Sequence, residues 1–443
     1  MKLNYKRIIL VGFAFFLIQA FWQAYDNTIP MILTNKFGMS QAWSGAIMAL
    51  DNVLALFMLP LFGAISDKHH SKWGRRTPFI VVGTLVAAVM LIALSFVDNA
   101  QLRHLSDVSA IDDPAALEQI YDRQAGETLL TPGGDKFVLS QKFTQEEFCQ
   151  IRSQVEQNGS TVTNPDYTNY VVPARQACAW DATAKSPVTL VFFIVLLLIV
   201  LVSMAVFRSP AVALMPDVTP KPLRSKANAI INLMGALGGI IYLIITTFLY
   251  KTTADVYVSY LPLFAIVGGI MLAALAVILL CVDEPKLVAE QRRYEDAHPE
   301  DNLTQVTENG ETLPKDVKRS LGFLLASIAL WFIGYNGVTT WFSVYAGRTW
   351  HMTLAQANTC LTIATAGAIL SYIPVGNVAS KVGRRKTIRF GTLLLAGSFF
   401  AAFVYTMLSD SFSPMLYGLF VLVGMAWAAI NVNSLPMVVE MCS

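Results

Sequence analysis

Apolar residues fall along this chain in long unbroken runs, without the polar stripe that marks a soluble amphipathic helix. Ten such runs occur, at 7–33, 42–65, 77–97, 188–214, 227–250, 261–282, 321–345, 354–378, 388–408 and 415–439. Each meets the roughly 20 apolar residues a helix needs to cross a bilayer core, so the pattern predicts an all-α, polytopic membrane protein. The first run is no cleavable signal. It exceeds the roughly 7–15 residues of a signal h-region, carries Gln19, Gln23 and Asp26, and leads straight into a second run.

Two polar segments break the rhythm. Residues 98–186 are rich in Asp and Glu and form an insertion between the third and fourth runs. Within it, 112–124 predicts a short helix with Asp113 as N-cap, and 145–157 predicts another. The insertion holds Cys149 and Cys178, which in an oxidising compartment form a disulfide or else stay as two free thiols. Without metal-ligand spacing or a nucleophile–base pattern, it predicts a small cap or decoration. The second break, 283–319, is charged and predicts a linker between two halves, 1–282 and 320–443.

Only 14% of the 443 residues are charged and 55% are apolar, with a mean hydropathy of +0.52; soluble domains carry about a quarter charged residues. The net charge of +2 excludes nothing, but its distribution orients the chain. Lys2, Lys6 and Arg7 precede the first run. Lys68, Lys72, Arg75 and Arg76 follow the second, Lys221, Arg224 and Lys226 the fourth, and Lys381, Arg384, Arg385, Lys386 and Arg389 the eighth. Cytoplasmic loops collect Lys and Arg, so the N-terminus is expected in the cytoplasm and the insertion outside.

The halves look like repeats. Gly63-Ala-Ile-Ser-Asp67, with Gly74, Arg75 and Arg76 following, closes the second run; Gly376-Asn-Val-Ala-Ser-Lys381-Val-Gly383-Arg384-Arg385 closes the eighth. This signature resembles the cytoplasmic loop motif of the major facilitator superfamily, which is built by parallel duplication. The resemblance implies two six-helix bundles: 1–282 complete, and 320–443 incomplete with its last two spans missing, as in a fragment or a truncated product. It implies that Gly63, Asp67, Gly74, Arg75, Arg76, Gly383, Arg384 and Arg385 gate the transporter through helix-bridging charged bonds; the alternative is positive charge serving topology alone. Arg208 and Asp217 either join that gate or, for Arg208, snorkel to phosphate.

A narrower match lies in Ser71-Lys-Trp-Gly-Arg-Arg-Thr-Pro-Phe79, Arg208-Ser-Pro-Ala-Val-Ala-Leu-Met-Pro-Asp217 and Ser225-Lys-Ala-Asn228. These segments resemble the sucrose-type solute carriers, neighbours of the glycoside–pentoside–hexuronide cation symporters. The resemblance excludes the insertion, and it implies proton-coupled uptake of a disaccharide or glycoside. Plant sucrose carriers place an arginine where this chain has Val212. The sodium-binding carboxylates of the melibiose-type branch are replaced by Gln19, Ala55 and Leu59, so that site is not carried over.

An ionisable group in hydrocarbon is a functional candidate by default. Gln19, Trp22, Gln23 and Asp26 recur at i, i+3, i+4 and i+7 and share one helical face, which is expected to line a cavity. Asp51 and Asn52 interrupt the second run at a depth similar to that of Asp26. Asp26 and Asp51 are the proton-coupling candidates, with helix bracing as the plain alternative. Sugars offer hydroxyls and apolar faces, so a site wants amides and aromatic plates. Asn232, Trp331, Tyr335, Asn336, Trp427 and Asn431 complete that list. No nucleotide-binding Gly-x-x-x-x-Gly-Lys-Ser/Thr loop occurs, and His69 and His70 stand alone, so no cofactor or metal is expected. The partners expected are a sugar, protons and the lipid bilayer, with no nucleic acid; a monomer in the plasma membrane is expected. An exporter of drugs or metabolites and a non-transporting membrane sensor are the competing functions.

Overall fold

The computed structural model describes residues 4–157, 160–250, 257–298, 315–350, 354–409 and 413–442. Ten helical runs among them are long and apolar enough to cross a membrane. The first is α1 (Tyr5–Met31), capped by Asn4, whose side chain accepts from Arg7 N; it carries Pro30 inside and continues as a π-helical turn, Ile32–Lys36. The second is α2 (Gln41–Met48) and α3 (Leu50–Lys68), one span with an interruption at Ala49. The others are α4 (Thr77–His104), α9 (Val188–Asp217), α10 (Arg224–Leu249), α11 (Leu261–Cys281), α13 (Lys315–Thr349), α14 (Leu354–Val382), α15 (Arg384–Leu408) and α16 (Met415–Cys442).

Helix contacts sort these spans into two groups. In the first, α1 packs on α9, α10 and α11, α4 on α9 and α11, and α3 on α9; in the second, α13, α14, α15 and α16 pack on one another. Small residues allow the closest approaches. A Cβ at Gly238 would meet the Phe16 carbonyl oxygen at 2.2 Å, and one at Gly424 would meet that of Ala364 at 2.0 Å. Between the groups, α10 touches α14 and α16.

The insertion is more than a polar loop. It folds as α5 (Pro114–Gln124), the hairpin β1 (Thr128–Leu130) with β2 (Lys136–Val138), α6 (Leu139–Lys142), α7 (Gln145–Gln150), the hairpin β3 (Gln154–Gln157) with β4 (Ser160–Thr163), and α8 (Val172–Lys185). Asp113 caps α5 as the sequence predicts. The helix expected at 145–157 stops after one and a half turns. Thr144 and Glu147 close a capping box at its start, but 154–157 pairs instead with 160–163, so tertiary pairing overrides the helical pattern. Leu117, Ile120, Leu139, Phe148 and Val171 bury a separate small core there. The charged linker is also partly helical: α12 (Glu284–Ala297) follows α11 directly, and α13 begins at Lys315. The rest of the linker, 299–314, lies outside the described residues.

Candidate functional site

The polar stripe on α1 meets charged residues from two neighbours. The Trp22 ring sits 5.5 Å under the guanidinium of Arg208 on α9, a favourable cation–π geometry, and packs edge-on against Tyr25. Arg208 lies within electrostatic reach of Asp51, and Asp51 within reach of Asp26. Tyr25, which the sequence reading passed over, feels both carboxylates and directs its hydroxyl to the Met48 carbonyl at 3.4 Å. Asn52 donates to Asp51 Oδ1 at 2.9 Å. On the other flank of the stripe, Gln19 and Gln23 pack over Gly235 and Gly239 of α10.

Aromatic residues gather in the second helix group. The Trp427 ring on α16 lies 4.0 Å from that of Tyr335, 5.1 Å from Trp331 and 5.7 Å from Phe332, all three on α13. Tyr372 on α14 packs in the same cluster as Trp427. The indole N–H groups of Trp22 and Trp331 are buried with no partner among the described residues.

The two groups touch near the start of α10. Asn228 donates to the Val432 carbonyl at 2.6 Å and to that of Asn431 at 3.3 Å. Asn232 bonds back to Asn228 O within its own helix at 2.8 Å. Arg384, at the start of α15, donates Nε to Ser225 Oγ at 2.5 Å and a terminal nitrogen to the Lys221 carbonyl at 2.6 Å. These contacts all lie at the end of the molecule that carries the basic loops.

At that same end a charge network ties α3, α4, α9 and α12. Arg76, 5% exposed, pairs with Asp67, donates Nε to Asp217 at 2.9 Å and reaches Ser66 Oγ at 2.6 Å; Arg75 lies 3.5 Å from Asp217. The sequence reading missed the network's centre. Glu284, the first residue of α12, accepts from the backbone N–H groups of Arg75 (2.6 Å), Arg76 (2.9 Å) and Thr77 (2.8 Å) and from the Thr77 hydroxyl (2.8 Å). The carboxylate thus fills the positive N-terminus of α4. Further along α12, Glu290 pairs with Arg7.

The family follows from the sequence profile of the Major Facilitator Superfamily, which matches residues 176–443. The chain belongs to the Major Facilitator Superfamily. A second profile, described as MFS/sugar transport protein, matches residues 10–103. Among curated relatives, sucrose transport protein SUC4 of Arabidopsis thaliana is 36% identical over 59 residues, 13% of this chain and 12% of that protein. Sucrose transport protein SUC3 of the same plant is 39% identical over 67 residues, 15% of this chain and 11% of that protein. The matched stretches therefore span about an eighth of either relative. Among solved structures, the proton:xylose symporter XylE bound to 6-bromo-6-deoxy-D-glucose superposes with a TM-score of 0.47 at 14% identity, covering 99% of this chain and 85% of that one. The chain is thus a multi-pass membrane protein of the major facilitator type.

Several residues of this major facilitator protein stand elsewhere than the sequence suggested. Arg208 does not join the network around Asp217. The two are nine residues apart, two and a half helical turns, and so project from opposite faces of α9; Arg208 turns to Trp22 while Asp217 turns to the loop arginines. The second copy of the loop motif is not a duplicate of the first in its contacts: Arg384 crosses to α10, and Arg385 is exposed. The glycines of the two copies do agree, with φ of +104° at Gly74 and +98° at Gly383. Asn336 is exposed, beside the aromatic cluster in sequence but not joined to it. Cys149 and Cys178 are both free thiols. Cys149 faces Glu118 and Asp122, whereas Cys178 faces Arg123 and Gln124, so the two approach α5 from different sides.

Proposed function

We propose that this chain is a proton-coupled sugar importer that takes up a disaccharide or glycoside. The observation that carries the reading is the grouping of Asp26, Asp51 and Arg208 around Trp22 in the first helix group. Arg208 compensates the charge of Asp51 and leaves Asp26 as the acid without a cation in reach among the described residues. A proton on Asp26 then travels with the substrate, and its release accompanies the change of the open side. The match of residues 10–103 to a sugar-transport profile and the names of the sucrose-transporting relatives support the substrate class.

The aromatic cluster suits the apolar face of a pyranose ring, with Trp427 and Tyr335 as plates. The indole N–H groups of Trp22 and Trp331 and the amides of Gln19, Gln23, Asn52 and Asn431 supply donors and acceptors for hydroxyls. The two helix groups act as the moving halves. Their joining at the basic-loop end by Asn228 and Arg384 supports a reading in which the gate on that side is closed in this arrangement. The clustering of basic loops supports a cytoplasmic N-terminus and a plasma-membrane location.

One proton supplies about 2.3 kcal/mol per 100 mV and about 1.4 kcal/mol per unit of pH difference, together enough for a few hundredfold accumulation. The test is uptake of labelled mono- and disaccharides into proteoliposomes with and without an inward pH gradient. Gradient-driven accumulation of a disaccharide supports the reading; gradient-driven efflux, or no sugar flux at all, overturns it.

A further inference from the structure

The insertion 98–186 is fastened to the first helix group by buried polar contacts that its description as a loop between α4 and α9 does not require. Lys36 closes the π-helical turn at the outer end of α1, and Asp98 lies in the last two turns of α4. Both side chains are 0% exposed, and the Lys36 ammonium contacts both Asp98 oxygens at 2.7 Å. Its third donor reaches the Val258 carbonyl at 2.7 Å, and its charge lies 4.3 Å from the Tyr260 ring. All three N–H donors of a lysine are thereby used. One buried cation joins α1, α4 and the segment leading into α11.

Around that pair the backbone itself is fastened. Gln101 donates to the Lys36 carbonyl and to Thr183 Oγ1, both at 3.0 Å, and accepts from Thr189 at 2.7 Å. The Thr183 hydroxyl on α8 lies 3.0 Å from the Phe37 carbonyl, and Gln176 donates to Asn35 Oδ1 at 3.0 Å. Gly38 has φ +67°, and a Cβ there would stand 2.2 Å from Trp180 N, so α8 lies directly on the chain leaving α1. On its other side α8 presents Arg175, 1% exposed, whose guanidinium sits 5.3 Å over the ring of Tyr257 from the α10–α11 connection.

A mobile lid needs a surface that separates at low cost. Lifting α8 would break the bonds of Thr183 to Gln101 and to the Phe37 carbonyl and of Gln176 to Asn35, beside a buried ion pair. We propose that the insertion is a brace: through Lys36, Asp98, Gln101 and Thr183 it locks the outer ends of α1, α4, α9 and the α10–α11 connection into one body, which moves as a unit and fixes the rotation of α1 and its Gln19–Asp26 stripe.

Hydrogen–deuterium exchange on the full chain in nanodiscs tests this without needing a substrate. In the wild type, 172–185 is expected to exchange as slowly as 24–36 and 88–101. Lys36→Met is expected to speed exchange at least tenfold in all three segments and in 257–260 together, although α8 is more than 130 positions away along the chain. Should that variant fail to fold, Gln176→Ala with Thr183→Ala, both outside the apolar spans, reads the same coupling from the other side and should loosen 32–38. Fast exchange of α8 in the wild type, or loosening confined to the mutated element, overturns the brace and leaves the insertion as a hinged appendage.

Discussion

The carboxylate of Glu284 occupies the space that any side chain at position 74 would need. A Cβ on Gly74 would stand 2.3 Å from Glu284 Cδ, and Gly74 has φ +104° besides, a conformation open to glycine and strained for other residues. The loop motif and the first residue of the linker are therefore a single unit, and α12 begins where the α4 N-terminus needs an anion. Replacing Glu284 with alanine takes the acceptor from three N–H groups, two of them buried, at a cost on the order of 3 kcal/mol. Glu284→Ala and Gly74→Ala should each lower the thermal midpoint of the detergent-solubilised protein by several degrees, while Glu284→Gln, which keeps one acceptor oxygen, should lower it less. Equal midpoints for all three would detach the carboxylate from the loop.

Asp26 and Asp51 separate in their expected behaviour because, among the described residues, only Asp51 has a cation in reach. Asp26→Asn should abolish accumulation against a gradient while equilibrium exchange of labelled sugar continues at a rate within a few-fold of the wild type. Asp51→Asn leaves Arg208 uncompensated in a half-buried position and should reduce exchange as well, by about tenfold or more. Counterflow assays in proteoliposomes distinguish the two patterns. An Asp26→Asn protein that still concentrates sugar would remove this residue from the coupling step.

The spans and the first loop motif were legible because each rests on a local signal. Hydrophobic length needs no partner to be recognised, and a Gly-x-x-x-Asp followed by paired arginines is contained in one turn and one loop. What escaped was long-range pairing. Glu284 looked like one more acidic residue in a charged linker, although its partners lie more than 200 positions earlier. Lys36 at the end of a span resembles an ordinary interfacial lysine, and Asp98 the first polar residue of a loop; their pairing, 62 positions apart, and the Val258 carbonyl that completes it are long-range contacts. Arg208 was grouped with Asp217 by closeness in sequence, where helical phase separates them.

The two insertion thiols should be poor nucleophiles in the folded protein. Burial pushes the Cys178 thiol up to about 11, and burial together with Glu118 and Asp122 raises that of Cys149. The thiolate is the reactive form, and a thiol at about 11 has roughly three hundredfold less of it at pH 7.5 than an ordinary one near 8.5. Maleimide labelling of Cys178 should therefore be at least a hundredfold slower in the native protein than after denaturation, and should accelerate as pH rises toward 11. Rapid labelling at neutral pH would show that the helix opens readily.

Trp427 is either a plate for a sugar or a packing residue, and paired substitutions can tell these apart. Its ring contacts Tyr335 at 4.0 Å, and it packs beside Tyr372. Trp427→Phe keeps an aromatic plate, so it should leave apparent sugar affinity within about threefold. Trp427→Ala removes the plate. If the cluster stacks a sugar, that change should weaken apparent affinity about tenfold, the equivalent of 1.4 kcal/mol, within the range for loss of aromatic contacts. If the cluster only packs the second helix group, Trp427→Ala should lower the thermal midpoint and leave affinity where it was. Measuring substrate concentration dependence and thermal midpoint on the same preparations decides between a binding plate and a structural one, because only the first moves the half-saturating sugar concentration.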